Sequence, residues 1–260
     1  MTGGLVLVDK ERGPSSFAVV RRVRARFRLK AGHTGTLDPF ATGLLVCLLG
    51  RATRLARYLS ALDKRYVTLI RLGVRTSTGD VEGEEVERTE IASRDALDAL
   101  GGELDLQVPL ASAVKIGGER AYRLHRRGVA VEMPRRRSTV HDLTVLRFEP
   151  PDLEIALHVS SGTYVRAIAD LLGGHCLELR RTAVGPFRVE DADEERMLPP
   201  LAAVPHLPSR ELDELEAAAV ARGRAVETSE DGLVALTRRG ELVAIARAAG
   251  GTAHPETVLA

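Results

Sequence analysis

The sequence predicts a mixed α/β protein with a large first unit and a smaller final one. Three observations predict it. Strand-like and helix-like segments exchange along most of the chain, 44% of the 260 residues are apolar, and the composition changes after Pro199-Pro200. A chain of this length buries one substantial core and has material left for a second module.

The elements follow in order. Leu5-Val6-Leu7-Val8 is a short apolar strand, stopped by Asp9-Lys10 and the breaker pair Gly13-Pro14. Ser15 or Ser16 caps a helix over 17–27 whose buried stripe is Val19, Val20, Val23 and Phe27, with arginines on much of the rest. Residues 30–43 hold three glycines and a proline and read as a shaped loop before the apolar segment 44–49. Residues 51–59 look helical, 66–72 alternate as a strand, and 95–100 suggest another short helix. Residues 117–137 carry seven arginines broken by Gly128 and Pro134, which predicts an exposed arm or hairpin-like insertion with some helix. Strands are expected over 143–148 and 153–159, then a helix running to Leu172. Beyond a boundary within 190–210, a helix over 211–222 and short strands over 233–237 and 242–245 complete the pattern.

Charge is uneven although the formal net charge is only +1. Residues 1–60 carry eleven basic side chains against Asp9, Glu11 and Asp38, whereas 80–90 hold Asp80, Glu82, Glu84, Glu85, Glu87 and Glu90. Only Lys10, Lys30, Lys64 and Lys115 are lysines among the 37 basic residues. An arginine-rich face suits phosphates and base edges, and a GC-rich genome produces the same bias. Cys47 and Cys176 have no metal-binding or disulfide spacing, and Cys47 sits inside an apolar run. No apolar run reaches 18 residues and no leader pattern opens the chain, so a soluble cytoplasmic protein is expected.

The loop around Asp38 is the sharpest feature. Gly32-His33-Thr34-Gly35 lacks the Gly-Lys-Ser/Thr ending of a phosphate loop, and the spacing is not that of a dinucleotide turn. No histidine spacing advertises a hydrolytic triad. A carboxylate held on a glycine-rich Asp-Pro loop can serve as a nucleophile when a partner orients it. The same residues suit a plain turn capped by Asp38, and local sequence leaves both open.

Four ordered blocks bear on that choice. Gly32-His33-Thr34-Gly35-Thr36-Leu37-Asp38-Pro39-Phe40-Ala41-Thr42-Gly43 resembles motif II of the bacterial TruB family of tRNA pseudouridine-55 synthases. Gly4-Leu5-Val6-Leu7-Val8-Asp9-Lys10 with Gly13-Pro14-Ser15-Ser16 resembles its opening segment, and Asp63-Lys64-Arg65-Tyr66 its Lys-Arg-Tyr block. Ser161-Gly162-Thr163-Tyr164-Val165-Arg166, followed by Leu179-Arg180-Arg181-Thr182, resembles its late arginine motif.

The resemblance implies a pseudouridine-synthase fold around a largely antiparallel sheet over 1–195, with a small PUA-like, RNA-contacting domain over 200–260. It implies Asp38 as the attacking carboxylate, Arg166 as its ion-pair partner and Tyr66 as the aromatic on the target base. Whether the carboxylate adds to the sugar, adds to the base or removes a proton from C2′ stays open. Lys10 is implied as support for the site, and His33 as the residue that fills the space left by the flipped base. Arg120, Arg123, Arg126, Arg127, Arg135, Arg136 and Arg137 are implied to grip RNA phosphates from an insertion at about 117–137. The implied substrate is the TΨC stem-loop of tRNA, with no cofactor, no metal, no membrane and no obligate protein partner. One departure is visible: Val108-Pro109-Leu110-Ala111 replaces the paired prolines and aromatic that many members carry before Ser112-Ala113-Val114-Lys115.

Overall fold

The computed structural model describes residues 3–129 and 131–259, with the side chains of Asp98, His125 and Arg126 outside the described set. The first elements are β1 (Gly3–Lys10), α1 (Ser16–Phe27), β2 (Ala31–His33) and β3 (Thr42–Gly50). A 3-10 turn over Arg51–Leu55 leads into α2 (Ala56–Ser60), then β4 (Lys64–Leu72). The acidic segment forms a small hairpin, β5 (Val74–Thr76) with β6 (Glu85–Arg88), before α3 (Arg94–Asp98) and β7 (Gly102–Gln107). The arm consists of β8 (Lys115–Ile116), β9 (Glu119–Arg120) and α4 (Ala121–Arg126). It is followed by β10 (Arg135–Glu149), β11 (Asp152–Val159), α5 (Val165–Leu171), β12 (Gly174–Val184), β13 (Phe187–Arg188) and β14 (Asp193–Leu198). The last unit holds β15 (Ser209–Glu211), α6 (Glu214–Ala221), β16 (Val226–Glu227), β17 (Gly232–Arg238), β18 (Glu241–Ala249) and β19 (Thr252–Val258).

One ten-stranded sheet forms the large unit, in the order β14-β1-β3-β12-β4-β11-β10-β7, with β2 and β13 beside β3 and β12. Every pairing in it is antiparallel except β3 with β12, where Thr42 faces Arg180 and Gly43 faces Arg181. This short parallel seam joins the two halves of the sheet. Gly43 makes it possible: at φ +100° it has the backbone conformation that favours glycine, and a Cβ there would lie 2.3 Å from the Arg181 carbonyl oxygen.

Burial explains the apolar runs. In β3, Leu44, Val46 and Leu48 face the core shared with the last unit, while Leu45, Cys47 and Leu49 pack under α1 with Val19, Val20 and Val23. A strand covered on both faces loses its polar alternation, and Leu44–Leu49 reads accordingly. The far half of the sheet packs Ile70, Leu153, Ile155 and Leu157 against α5 residues Val165 and Ile168.

The helix over 16–27 is capped by Ser15, whose side chain accepts from the Ala18 N–H. Two boundaries differ from the sequence expectation. Arg135, Arg136 and Arg137 lie on the first residues of β10, paired with Gln107, Leu106 and Asp105 of β7, and not on the arm. β7 and β10 form the sheet edge, where solvent removes the apolar alternation that marks inner strands. Likewise β14 runs to Leu198 against β1, so the large unit extends beyond residue 195.

The last unit is a five-stranded sheet, β15-β17-β18-β19-β16, with α6 against it. Two of its strands were legible; the short β15 and β16 and the Pro255-containing β19 were not. A PUA-like small sheet is consistent with this arrangement. It is not a separate bead: Ala235, Leu242, Ile245 and Leu259 share one core with Leu5, Leu7, Leu44 and Leu55. No helix among the described residues is long and apolar enough to cross a membrane.

Candidate active site

The loop between β2 and β3 carries Asp38, and five separate anchors hold it. The Ser16 hydroxyl donates to the Leu37 carbonyl and accepts from the Leu37 N–H, both at 2.8 Å. The Gly13 N–H donates to Pro39 O at 2.8 Å. Lys10, fully buried on β1, donates from Nζ to Ala41 O (2.6 Å), Glu11 O (2.9 Å) and Pro39 O (3.2 Å). Arg181, buried on β12, donates to Leu44 O (2.8 Å), Gly35 O (3.0 Å) and Thr36 O (3.4 Å), on both sides of Asp38. Finally, Arg166 Nε lies 2.9 Å from Asp38 Oδ2. A loop poor in regular structure is thereby anchored on both sides of Asp38.

Arg166 comes from the first turn of α5, and its side chain is 2% exposed. Its Nη1 faces Asp80 Oδ2 at 3.4 Å and donates to Thr78 O, while Nη2 donates to Ala111 O at 2.9 Å. Asp80 is itself held, accepting from the Thr78 hydroxyl at 2.6 Å and the Glu82 N–H at 3.0 Å. One guanidinium therefore sits between two carboxylates with its remaining protons on backbone carbonyls. That is the arrangement a buried charge requires.

The electrostatics follow from burial. Desolvation pushes the Asp38 carboxyl above its ordinary value; Arg166 and Lys10 oppose this, and Asp80 adds to it. Burial brings Lys10 down to about 8, against the pull of Asp38, Glu11 and Glu82. Lys64, which donates to Ser60 O at 2.7 Å and to Leu62 O, is also brought down to about 8, by burial and then by Arg181.

Above Asp38 opens a cavity of about 240 Å³. Its walls include Thr34–Asp38, Lys64 and Tyr66 of β4, Ser112 and Ala113 at the root of the arm, Gly162–Arg166, and Leu179 and Arg181 of β12. Asp38, Tyr66 and Arg166 are thus brought together from three distant stretches of chain. Tyr66 is 8% exposed, buried on one side and facing the cavity on the other.

His33 is not among the lining residues. It sits on β2 opposite Cys47, next to Thr34, with a buried Nδ1 that has no hydrogen-bond partner. Burial, then Arg181, lowers its pKa, so its ring is neutral at physiological pH.

The arginines divide. Arg127 pairs with Glu119 at 2.9 Å and Arg135 with Asp105 at 2.6 Å. Arg120 donates to Ala113 O, and Arg123 lies 5.9 Å from the centre of the Tyr122 ring. Arg136 reaches Gly162 at the cavity lip, Arg137 is exposed, and the Arg126 side chain lies outside the described residues.

A buried carboxylate, the guanidinium paired with it and an aromatic wall bring three of the four ordered sequence blocks into one pocket, and the opening block braces the Asp38 loop through Lys10 and Ser16. Residues 21–165 match the family described as TruB family pseudouridylate synthase, N-terminal domain. The chain belongs to the TruB family. A tRNA pseudouridine synthase B from Aromatoleum aromaticum is 40% identical over 284 residues, covering 98% of this chain and 92% of that protein. The one from Thermobifida fusca is 41% identical over 291 residues, covering 100% and 99%. Among solved structures, a Cbf5-Nop10-Gar1 complex matches with a TM-score of 0.74 at 27% identity, covering 100% of this chain and 85% of the other. An H/ACA RNP bound to a substrate RNA containing 2′-deoxyuridine matches at 0.72 and 25%, covering 99% and 85%.

Three members of this TruB site escaped sequence reasoning. Asp80 was read only as one of six acids in the stretch 80–90, yet it is 3% exposed; the small residues Thr76-Ser77-Thr78-Gly79 before it, which make a tight turn, were the available signal. Ser16 passed as a helix cap, and Arg181 as part of a motif without a task.

Proposed function

We propose that this protein isomerises uridine 55 of tRNA to pseudouridine, with Asp38 attacking the nucleotide. The observation that carries this reading is the Asp38–Arg166 pair at 2.9 Å on the wall of a cavity that Tyr66 also lines. The reaction breaks the bond from N1 to C1′, turns the uracil, and joins C5 to C1′; the C5 hydrogen is released and N1 ends protonated. Nothing is oxidised or added, so the chain needs to supply a nucleophile, its orientation and a surface for the base.

Arg166 supplies the orientation, through three donors placed on Asp38, Asp80 and backbone carbonyls. Tyr66 supplies the surface, stacking on the uracil while Asp38 approaches the nucleotide. Lys10 and Arg181 keep the loop still. The uridine stacks inside the TΨC loop and must leave it, at a cost of about a few kcal/mol that protein contacts offset. His33, neutral and on the neighbouring strand, fills the vacated space. Arg120, Arg123, Arg126 and Arg127 on the arm, with Arg135, Arg136 and Arg137 on the sheet edge, track phosphates. The catalytic unit covers 1–198 and the last unit, from 209, extends the RNA surface. Full-length similarity at 40–41% to enzymes named for tRNA, against 25–27% to RNP proteins, favours action on free tRNA.

Tritium release from C5-labelled uridine in a TΨC stem-loop tests the reading. Wild type releases tritium, and Asp38→Asn binds the RNA without releasing it. Equal turnover by the variant removes Asp38 from its role.

A further inference from the structure

Ser112 carries a hydroxyl that the chemistry above does not use. The residue is 4% exposed, and its Oγ is enclosed without a hydrogen-bond partner. It lines the same cavity as Asp38 and Tyr66. Next to it stands Tyr164, another lining residue. Burial raises the Tyr164 phenol, and Arg136 and then the neighbouring Ser112 hydroxyl draw it back. The Tyr164 phenol is the neighbouring group within reach of that hydroxyl.

The backbone around Ser112 is engaged on both sides. Ala111 O accepts from Arg166 Nη2 at 2.9 Å, and Ser112 O accepts from the Tyr122 N–H of α4 at 3.0 Å. The segment is a braced wall between the ion pair and the arm. Native proteins rarely enclose a hydroxyl without a partner, because its lost hydration is not replaced. At a cavity wall, an occupant can supply the missing partner.

We propose that Ser112 Oγ, together with the Tyr164 phenol, hydrogen-bonds to the imide edge of the flipped uracil. This rests on the isomerase reading and adds a recognition group to it. Uracil presents acceptor, donor and acceptor across O2, N3–H and O4. Turning the ring about its N3–C6 axis brings C5 to where N1 stood, exchanges O2 with O4 and leaves that pattern unchanged. A hydroxyl both donates and accepts and turns about a single bond, so it keeps the same contact before and after the turn. Cytosine, with acceptor, acceptor and donor on that edge, lacks this equivalence. A polar wall that reads the imide therefore holds the base in plane while its bond to the sugar is exchanged.

The test compares wild type, Ser112→Ala and Ser112→Thr on two TΨC stem-loops, one with uridine at the target and one abasic there. Tritium release by wild type checks the isomerase reading separately. Ser112→Ala is expected to bind the uridine RNA roughly five- to tenfold more weakly, the size of one lost hydrogen bond. It binds the abasic RNA as wild type does, which also reports an intact fold, and Ser112→Thr recovers affinity for uridine. Equal weakening on both RNAs, or none on either, overturns the inference while leaving the isomerase assignment in place.

Discussion

Asp80 Oδ2 lies 3.4 Å from Arg166 Nη1, on the opposite side of the guanidinium from Asp38. The two carboxylates come from loops 42 positions apart in sequence, and the cation between them leaves Arg166 little freedom to rotate. Orientation of Asp38 thus depends on a residue that does not line the cavity.

Asp80→Asn is expected to lower kcat by about ten- to a hundredfold, the penalty for loosening a reacting group by a fraction of an ångström. KM for the stem-loop is expected to change little, because Asp80 is buried and does not line the cavity. Steady-state tritium release measures both constants. A rise in KM at unchanged kcat would contradict the positioning role.

The pH profile carries a sign that can be checked. In the proposed reaction Asp38 attacks as the ionised carboxylate, and burial raises its pKa, with Arg166 opposing the rise and Asp80 adding to it. Activity therefore falls on acidification through a value above the ordinary carboxylate range. Arg166→Met removes the opposing charge, so the acid limb of its residual activity moves to higher pH. Asp80→Asn removes the like charge, so its limb moves lower. Single-turnover rates across pH 4–8 decide the matter, and shifts in the reverse sense would refute this electrostatic account.

Lys10→Met tests the support of the loop. The substitution leaves the Ala41 carbonyl without its buried donor and the Pro39 carbonyl with only the Gly13 N–H, which costs about 1–3 kcal/mol for the stranded group. Thermal unfolding should move down by several degrees. Restoring the protein with an added ligand or salt is not expected, since the lost contacts are internal. An unchanged melting temperature with lost activity would instead make Lys10 a participant in the chemistry.

Deleting residues 209–260 tests the shared core. Leu5, Leu7, Leu44 and Leu55 pack against Ala235, Leu242, Ile245 and Leu259, so the deletion exposes an apolar face. The shortened chain is expected to aggregate or to melt well below wild type. Recovery of a soluble, fully active fragment would show that the last unit is an accessory to the core.

Much of this was legible before any coordinates. The strand at Leu5–Val8, the Ser15-capped helix, the strands at 66–72 and 153–159 and the Asp38 loop all announce themselves locally, through apolar period, capping residues and breakers. Local signals reach only a few residues along the chain. The start of β10 at Arg135–Arg137 hid because all three side chains meet water, and β19 hid behind Pro255.

By itself, the sequence named the candidates for the chemistry, through its ordered blocks and their resemblance to the family: a carboxylate on a glycine-rich loop, a tyrosine behind Lys64-Arg65 and an arginine opening a helix. Only the tertiary structure decided which of many identical side chains serve them. Among six neighbouring acids it selected Asp80, and among 33 arginines it buried Arg166 in α5 and Arg181 at the parallel seam of β3 and β12. The reason is physical. A charge acquires its role from what surrounds it once water is excluded, and that surrounding is assembled from strands far apart in the chain.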